Sequence, residues 1–251
     1  MRLYYQDDHA QIWNGDARRL TEIEDESVGL VLTSPPWWDG GDYGHEHQIG
    51  FGQKYDDFLD ALVLAWQECY RCLQPGRVAI AWMADMGWRS QPVPLATDTH
   101  QTFRRAGFQY EGTVYWYAWP FRPPPPPDAC VPMTARLKES PGVLVIYRKP
   151  GTMTPPPPDT ILASRIDPRE YRDSLYPVWT PGPMLDDPYY RLIRLWSYAG
   201  ETVLDPFVGQ GTVCAYAKRL GRRGVGVELN ESTCAFAADM VRAAHPPASG
   251  S

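Results

Sequence analysis

Cysteine is scarce in this chain. The five thiols, Cys69, Cys72, Cys130, Cys214 and Cys234, are odd in number and scattered. That excludes a disulfide-stapled scaffold and fits reduced thiols in a cytoplasmic protein. Cys69 and Cys72 have C-x-x-C spacing, but they fall in a helical pattern without a second ligand pair, so no metal site is expected. Long apolar runs are missing too. None approaches the length that crosses a bilayer, and Met1 to Asp8 carries no apolar signal-peptide core, so no membrane association is expected. Cations are in deficit, with 24 Lys and Arg against 30 Asp and Glu and a net charge of −6. This counts against indiscriminate binding of phosphate backbones. The deficit is uneven, however. From Arg122 to Arg172 the cations Arg122, Arg136, Lys138, Arg148, Lys149, Arg165, Arg169 and Arg172 outnumber the acids. Such a stretch is either a nucleic-acid face or an ordinary solvated surface.

The 251 residues, 43% of them apolar, suffice for a domain with a continuous core. We expect one domain over residues 1–245, with a disordered tail over 246–251. Val28–Leu32 is a compact Val/Leu run of the kind that forms a buried parallel strand. Further strands are expected at Gln11–Asn14, Val78–Trp82, Thr113–Tyr117, Val143–Tyr147, Glu201–Asp205 and Gly224–Glu228. Helices are expected at Ala17–Ile23, Tyr55–Leu73, Thr99–Ala106, Asp187–Tyr198, Thr212–Leu220 and from Glu231. The alternation predicts a three-layer α/β/α architecture. Asp39–Gly52 reads as a loop, the Pro123–Pro127 run as extended, and the stretch from Pro155 to Pro177 as loop-rich.

Two loops carry the chemistry. The Val28–Leu32 strand runs into Thr33-Ser34-Pro35-Pro36-Trp37-Trp38, where two prolines forbid a ladder or helix. Ser34 therefore stands at the carboxyl end of a strand, where open α/β sheets bind ligands. The second loop, Asp205-Pro206-Phe207-Val208-Gly209-Gln210-Gly211-Thr212, joins a strand to a helix. Its glycines let the backbone turn sharply and approach a ligand. The spacing is not G-x-G-x-x-G, which lowers a dinucleotide reading. Glu228 ends the next strand, where an acid can hold both hydroxyls of a ribose. Asp16 fits a helix N-cap.

These segments, in this order, resemble the catalytic and cofactor motifs of amino-directed DNA methyltransferases of the circularly permuted beta class. The resemblance runs over nearly the whole chain and implies a Rossmann-like S-adenosylmethionine-dependent fold. It implies an amine site at Ser34, Pro35, Pro36 and Trp37. A cofactor site follows at Asp16, Thr33, Asp205, Pro206, Phe207, Gly209, Gly211, Thr212, Glu228 and Asn230, with Asp16 meeting the adenine amine of S-adenosyl-L-methionine. DNA contacts are expected at Trp38, His45, Lys54, Arg122, Arg136, Lys138, Arg165 and Arg169. Residues 151–175 stand where relatives carry a larger target-recognition region. DNA is the expected partner, with a homodimer and a cognate restriction endonuclease as further partners of such enzymes. Ser rather than Asp or Asn at position 34 resembles the cytosine-N4 form, with adenine N6 as the alternative. Cysteine-5 methylation fits poorly, because it needs a thiolate in the catalytic loop and the nearest is Cys69. A non-catalytic cofactor-binding subunit, or an RNA or small-molecule methyltransferase, would share the cofactor end.

Overall fold

A computed structural model describes residues 1–85, 93–117, 142–180 and 187–247. These hold nine strands: β1 (Arg2–Gln6), β2 (Ala10–Asn14), β3 (Val28–Thr33), β4 (Leu73–Met83), β5 (Gln109–Trp116), β6 (Gly142–Arg148), β7 (Val178–Trp179), β8 (Thr202–Asp205) and β9 (Arg223–Glu228). Their seven α-helices are α1 (Tyr55–Cys72), α2 (Leu95–Arg105), α3 (Pro158–Ala163), α4 (Pro168–Ser174), α5 (Pro188–Trp196), α6 (Thr212–Arg219) and α7 (Glu231–Ala243). The strands form one sheet in the order β1-β2-β9-β8-β3-β4-β6-β5-β7. β2, β9, β8, β3 and β4 run parallel, while β6 is antiparallel to both β4 and β5.

All six residues of β3 are buried, as a central strand covered on both faces requires. Its side chains alternate between two cores. Val31 joins α1 and α2 through Leu62, Trp66 and Phe103. Leu30 and Leu32 face the opposite layer, with Leu192 and Ile193 of α5 and Val213 of α6. A third cluster seats α7 against β2 through Ile12, Ala237 and Val241. β9 gives its α6 side no bulk: a Cβ on Gly224 would lie 2.8 Å from the Cα of Cys214, so only glycine lets the helix settle there.

The structure corrects several expectations. Residues 17–23 form turns rather than a helix. The α1 side chains capture their backbone groups: Glu68 accepts from the Leu20 amide at 2.8 Å, and Arg71 donates to the carbonyls of Leu20 and Ile23. β1 was not anticipated. It is a largely exposed edge strand and lacks a clean apolar alternation. The stretch from Pro155 to Pro177 contains α3 and α4, each opened by a proline in its first turn. Helices of six and seven residues are too short to display a 3.6-residue period. The Pro123–Pro127 run and Cys130 lie outside the described residues, as does most of the expected tail. Cys69 and Cys72 are buried in the core.

Trp66 anchors the layer that holds α1. It stacks on Phe103 at 4.4 Å, and its indole donates to Thr102 Oγ1 at 2.9 Å. Trp66→Ala is expected to cost about 3–5 kcal/mol of unfolding free energy, read from urea titration.

Candidate active site

β8 leads through α6 to β9 on one side, and β3 leads through α1 to β4 on the other. The crevice between the carboxyl ends of β3 and β8 is thus a topological switch point, where such sheets bind ligands. A cavity of about 870 Å³ opens there. Ser34, Pro35, Pro36 and Trp37 enter it from the β3 end. Asp205, Pro206, Phe207, Gly209 and Thr212 enter from the β8 loop, Glu228 and Asn230 from the end of β9, and Asp16 from the end of β2.

Thr33 and Gly211 shape the site from behind. The fully buried Thr33 hydroxyl donates to Asp205 Oδ1 at 2.6 Å, and the Phe207 amide donates to the same oxygen at 3.1 Å. Gly211 adopts a φ of +89°, and a Cβ there would sit 2.8 Å from the Ala237 carbonyl. Burial pushes the Asp205 carboxyl up to about 7, against the pull of its two donors. Glu228 is also raised by burial, although it accepts from the amides of Asn230 at 2.9 Å and Gly209 at 3.2 Å. Asp16 behaves differently. Burial opposes its charge, but the Arg18 guanidinium and amide outweigh burial and hold its carboxyl below the usual range.

Among the described residues the lining includes the acids Asp16, Asp42, Asp205 and Glu228, but neither Lys nor Arg. A pyrophosphate would find no countercharge there. An adenosine carrying an ammonium and a sulfonium finds acids from the ends of three strands together with apolar surface from Phe207, Ile49 and Val227. The residues present therefore fit S-adenosyl-L-methionine better than a dinucleotide.

The residues expected to meet DNA separate. His45 lines the cavity, and exposed Lys54 immediately precedes α1. Trp38, held at a φ of +45°, turns away from Trp37. Its indole donates to the Gln53 carbonyl at 2.9 Å and meets Tyr55 edge-on at 5.0 Å. Arg165 lines a second cavity with Arg77 and Tyr198 at the amino ends of β4 and β8, the opposite edge of the sheet from Ser34. Arg169 lies on α4, whose Tyr171 lines that same cavity. Arg122, Arg136 and Lys138 lie outside the described residues.

Two contributions were not read from the sequence. Tyr43, Gln48 and Ile49 roof the cavity, and the Asn230 amide group holds the roof by donating to the Tyr43 carbonyl at 2.8 Å. Tyr189 enters from the first turn of α5. A signal for it existed. A helix that leads back into a parallel strand has its N-terminus at the carboxyl edge, so its first turn faces the site.

A Rossmann-like sheet with this crevice is the ligand-binding class of α/β fold to which S-adenosylmethionine-dependent DNA methyltransferases belong. Comparison with known proteins narrows it. A family model for DNA methylases of the N6/N4 group matches residues 152–239. The type II methyltransferase M.MjaI of Methanocaldococcus jannaschii is 28% identical over 87% of this chain and 86% of its own. A Thermus thermophilus protein assigned as a DNA modification methylase, solved with S-adenosyl-L-methionine, is 30% identical. The likeness covers 94% of this chain and 97% of the Thermus protein, with a TM-score of 0.78. The PvuII cytosine-N4-specific DNA methyltransferase shares the fold at 17% identity, covering 94% of this chain and 88% of its own with a TM-score of 0.65. The chain belongs to the N6/N4 DNA methyltransferase family.

The raised Asp205 carboxyl has a measurable consequence. An acid whose folded pKa, about 7, lies above its ordinary value of 3.8 takes up protons on folding. Its contribution to stability is therefore greatest below 3.8, declines as pH rises to about 7, and is flat above. Asp205→Asn should unfold with a shallower decline over that window than the unaltered protein, in urea titrations at a series of pH values.

Proposed function

We propose that this protein transfers a methyl group from S-adenosyl-L-methionine to the exocyclic N4 of cytosine in DNA. The observation that carries the reading is the convergence of Ser34, at the end of β3, and Asp205, at the end of β8, on one cavity. The Ser34 loop precedes the Asp205 loop in the chain, as in the circularly permuted beta class, and we assign the protein to that class.

S-adenosyl-L-methionine, when bound, supplies an electrophilic methyl group. Asp205 meets its ammonium, Glu228 its ribose hydroxyls, and Phe207 packs beside it. Both Glu228 oxygens already accept one amide each, but a carboxylate offers about four acceptor sites and retains capacity for a diol. Asp16 has less to spare, because Arg18 takes both of its oxygens. An adenine contact at Asp16 shares them with that guanidinium.

The target amine is a poor nucleophile, since its lone pair is delocalised into the ring. Ser34 Oγ and the Pro35 carbonyl accept its hydrogens, favour a pyramidal nitrogen and stabilise the charge that develops on it. The prolines fix the loop and remove amide donors that would compete. The base reaches the cavity only when extruded from the duplex. Trp37 offers it a stacking face worth roughly 1–3 kcal/mol. Serine at position 34 supports cytosine N4 through its likeness to that form of the motif.

Residues 1–245 act together as the catalytic unit. The 151–175 segment packs at the far edge of the sheet, so we assign base reading to the loop from Asp39 to Lys54, which emerges beside Trp37.

Mass spectrometry of nucleosides from DNA incubated with the protein and S-adenosyl-L-methionine should show N4-methylcytosine. N6-methyladenine would overturn the base assignment and leave the mechanism standing. Neither product, with cofactor still bound, would overturn both. Ser34→Ala should lower turnover about a hundredfold, the scale of one transition-state hydrogen bond, and change cofactor affinity far less. Equal losses in turnover and affinity would contradict the role given to Ser34.

A further inference from the structure

The cavity at the amino ends of β4 and β8 is the opposite of the Ser34 cavity in charge. Arg77, Arg148, Arg165 and Arg194 line it, and among the described residues no acid does. The two cavities share no lining residue. A fifth arginine, Arg222, is buried nearby and donates to the carbonyl of Ser197, itself part of the lining. At about 410 Å³ the space falls within the range of small-molecule sites.

Gathering guanidinium groups on one surface is unfavourable, and acids outside the lining answer part of that charge. Glu201 pairs with Arg77, Glu170 with Arg194 and Glu111 with Arg148. Arg148 is fully committed: Nε and Nη2 donate to Glu111, and Nη1 donates to the Gly76 carbonyl. The other three keep open donors. Arg194 meets its acid through Nη1, which leaves Nε and Nη2. Arg77 meets its acid through Nη2. It is 6% exposed, and its buried Nε has no acceptor. Arg165, exposed between α3 and α4, has no side-chain partner among the described residues. A guanidinium held along one edge by an acid presents its remaining donors in a fixed fork, the geometry that matches phosphate.

Three such forks call for an anion with several acceptor oxygens. A phosphomonoester brings about two negative charges and three acceptor oxygens. A duplex phosphodiester brings one charge on a convex backbone, which does not reach a buried side chain such as Arg77. Tyr171, half exposed on α4, adds a flat face at the same cavity and suits a ring carried by the phosphate. We propose that this second cavity binds a phosphomonoester through Arg77, Arg165 and Arg194, with a nucleoside monophosphate as the ligand that fills it. The three arginines come from β4, from the connection between α3 and α4, and from α5. A bound phosphate thus ties the α3–α4 segment to the sheet. The proposal is independent of methyl transfer and of the base assignment.

The test uses the full chain and uridine 5′-monophosphate. Uracil has neither the adenine of the cofactor nor an exocyclic amine, so the probe resembles nothing expected in the Ser34 cavity. Titration calorimetry should show binding of the nucleotide and none of uridine. At ten times its Kd and constant ionic strength, the nucleotide should raise Tm by roughly 3–5 °C. Amide exchange should slow in α3 and α4. Arg165→Glu should weaken binding at least about tenfold, the scale of one charge-assisted hydrogen bond, and Arg165→Lys should recover part of the loss. Equal affinity for uridine, or unchanged affinity in Arg165→Glu, overturns the proposal. If Arg165→Glu fails to fold, the exchange pattern of the unaltered protein decides: protection around Ser34 in place of α3 and α4 overturns it as well. Binding of a DNA duplex that Arg165→Glu abolishes, with no binding of the nucleotide, would give the cavity to the strand backbone and also overturn it.

Discussion

The hydrogen bond from Thr33 to Asp205 is the constraint on which the site depends. It joins residues 172 positions apart and crosses from the last residue of β3 to the last residue of β8. Both partners are buried, so water cannot replace the bond, and its loss would leave an orphan hydroxyl beside a desolvated acid. Both donors to Asp205 fall on Oδ1, which aims the carboxylate and leaves Oδ2 uncommitted among the described residues. Because Thr33 immediately precedes Ser34, the bond that orients the acid also fixes the root of the Ser34-Pro35-Pro36 loop. Two distant motifs become one site through a single contact at the switch point of the sheet.

Charge does the sorting within that site. An enzyme that acts on DNA must attract phosphates somewhere, yet among the described residues the cavity between β3 and β8 is lined by acids without a Lys or Arg. The separation is physically sensible. A cationic cofactor needs acids, and the same acids repel a phosphate backbone from the cofactor's seat. Burial sharpens the effect by raising both Asp205 and Glu228, since the low dielectric that makes their charge costly also strengthens their attraction to any cation they meet. The overall acidity of the chain is thus a poor guide to what it binds, because the local arrangement decides.

The parts of this arrangement that the sequence displayed are those buried on both faces. Val28–Leu32 and Val203–Asp205 are short apolar runs that end in Pro or Gly, and a parallel strand ending in a loop at the carboxyl edge explains both. The parts it concealed depend on contacts distant in the chain. Nothing near Ala17–Ile23 announces that Glu68 and Arg71 will take the backbone groups a helix would have used. β1 shows no alternation because it is an exposed edge. α3 and α4 are too short to show a period, and local capping alone, as by Asp167 at α4, would have had to reveal them. Tyr189 was hidden for another reason: it reaches the cavity that Ser34 lines, 155 positions away by sequence number, only through the packing of α5.

The loop that follows Ser34-Pro35-Pro36 ties the two sides of the cavity together. Its two tryptophans divide the work. Trp37 faces the cavity, while Trp38, in a left-handed backbone conformation, locks the loop to the start of α1. Gly50 is required opposite it, since a Cβ there would lie 2.3 Å from the Trp38 carbonyl. Farther along, Asn230 donates to the Tyr43 carbonyl and Arg18 to the His47 carbonyl, so the segments that follow β9 and β2 hold the same roof. Arg18 is also the partner of Asp16. A group that competes for the Asp16 carboxylate therefore bears on the guanidinium that tethers the roof. Since Trp37 is continuous with that roof, Arg18 and Asn230 tie the walls of the cavity to the same stretch of chain that carries Trp37.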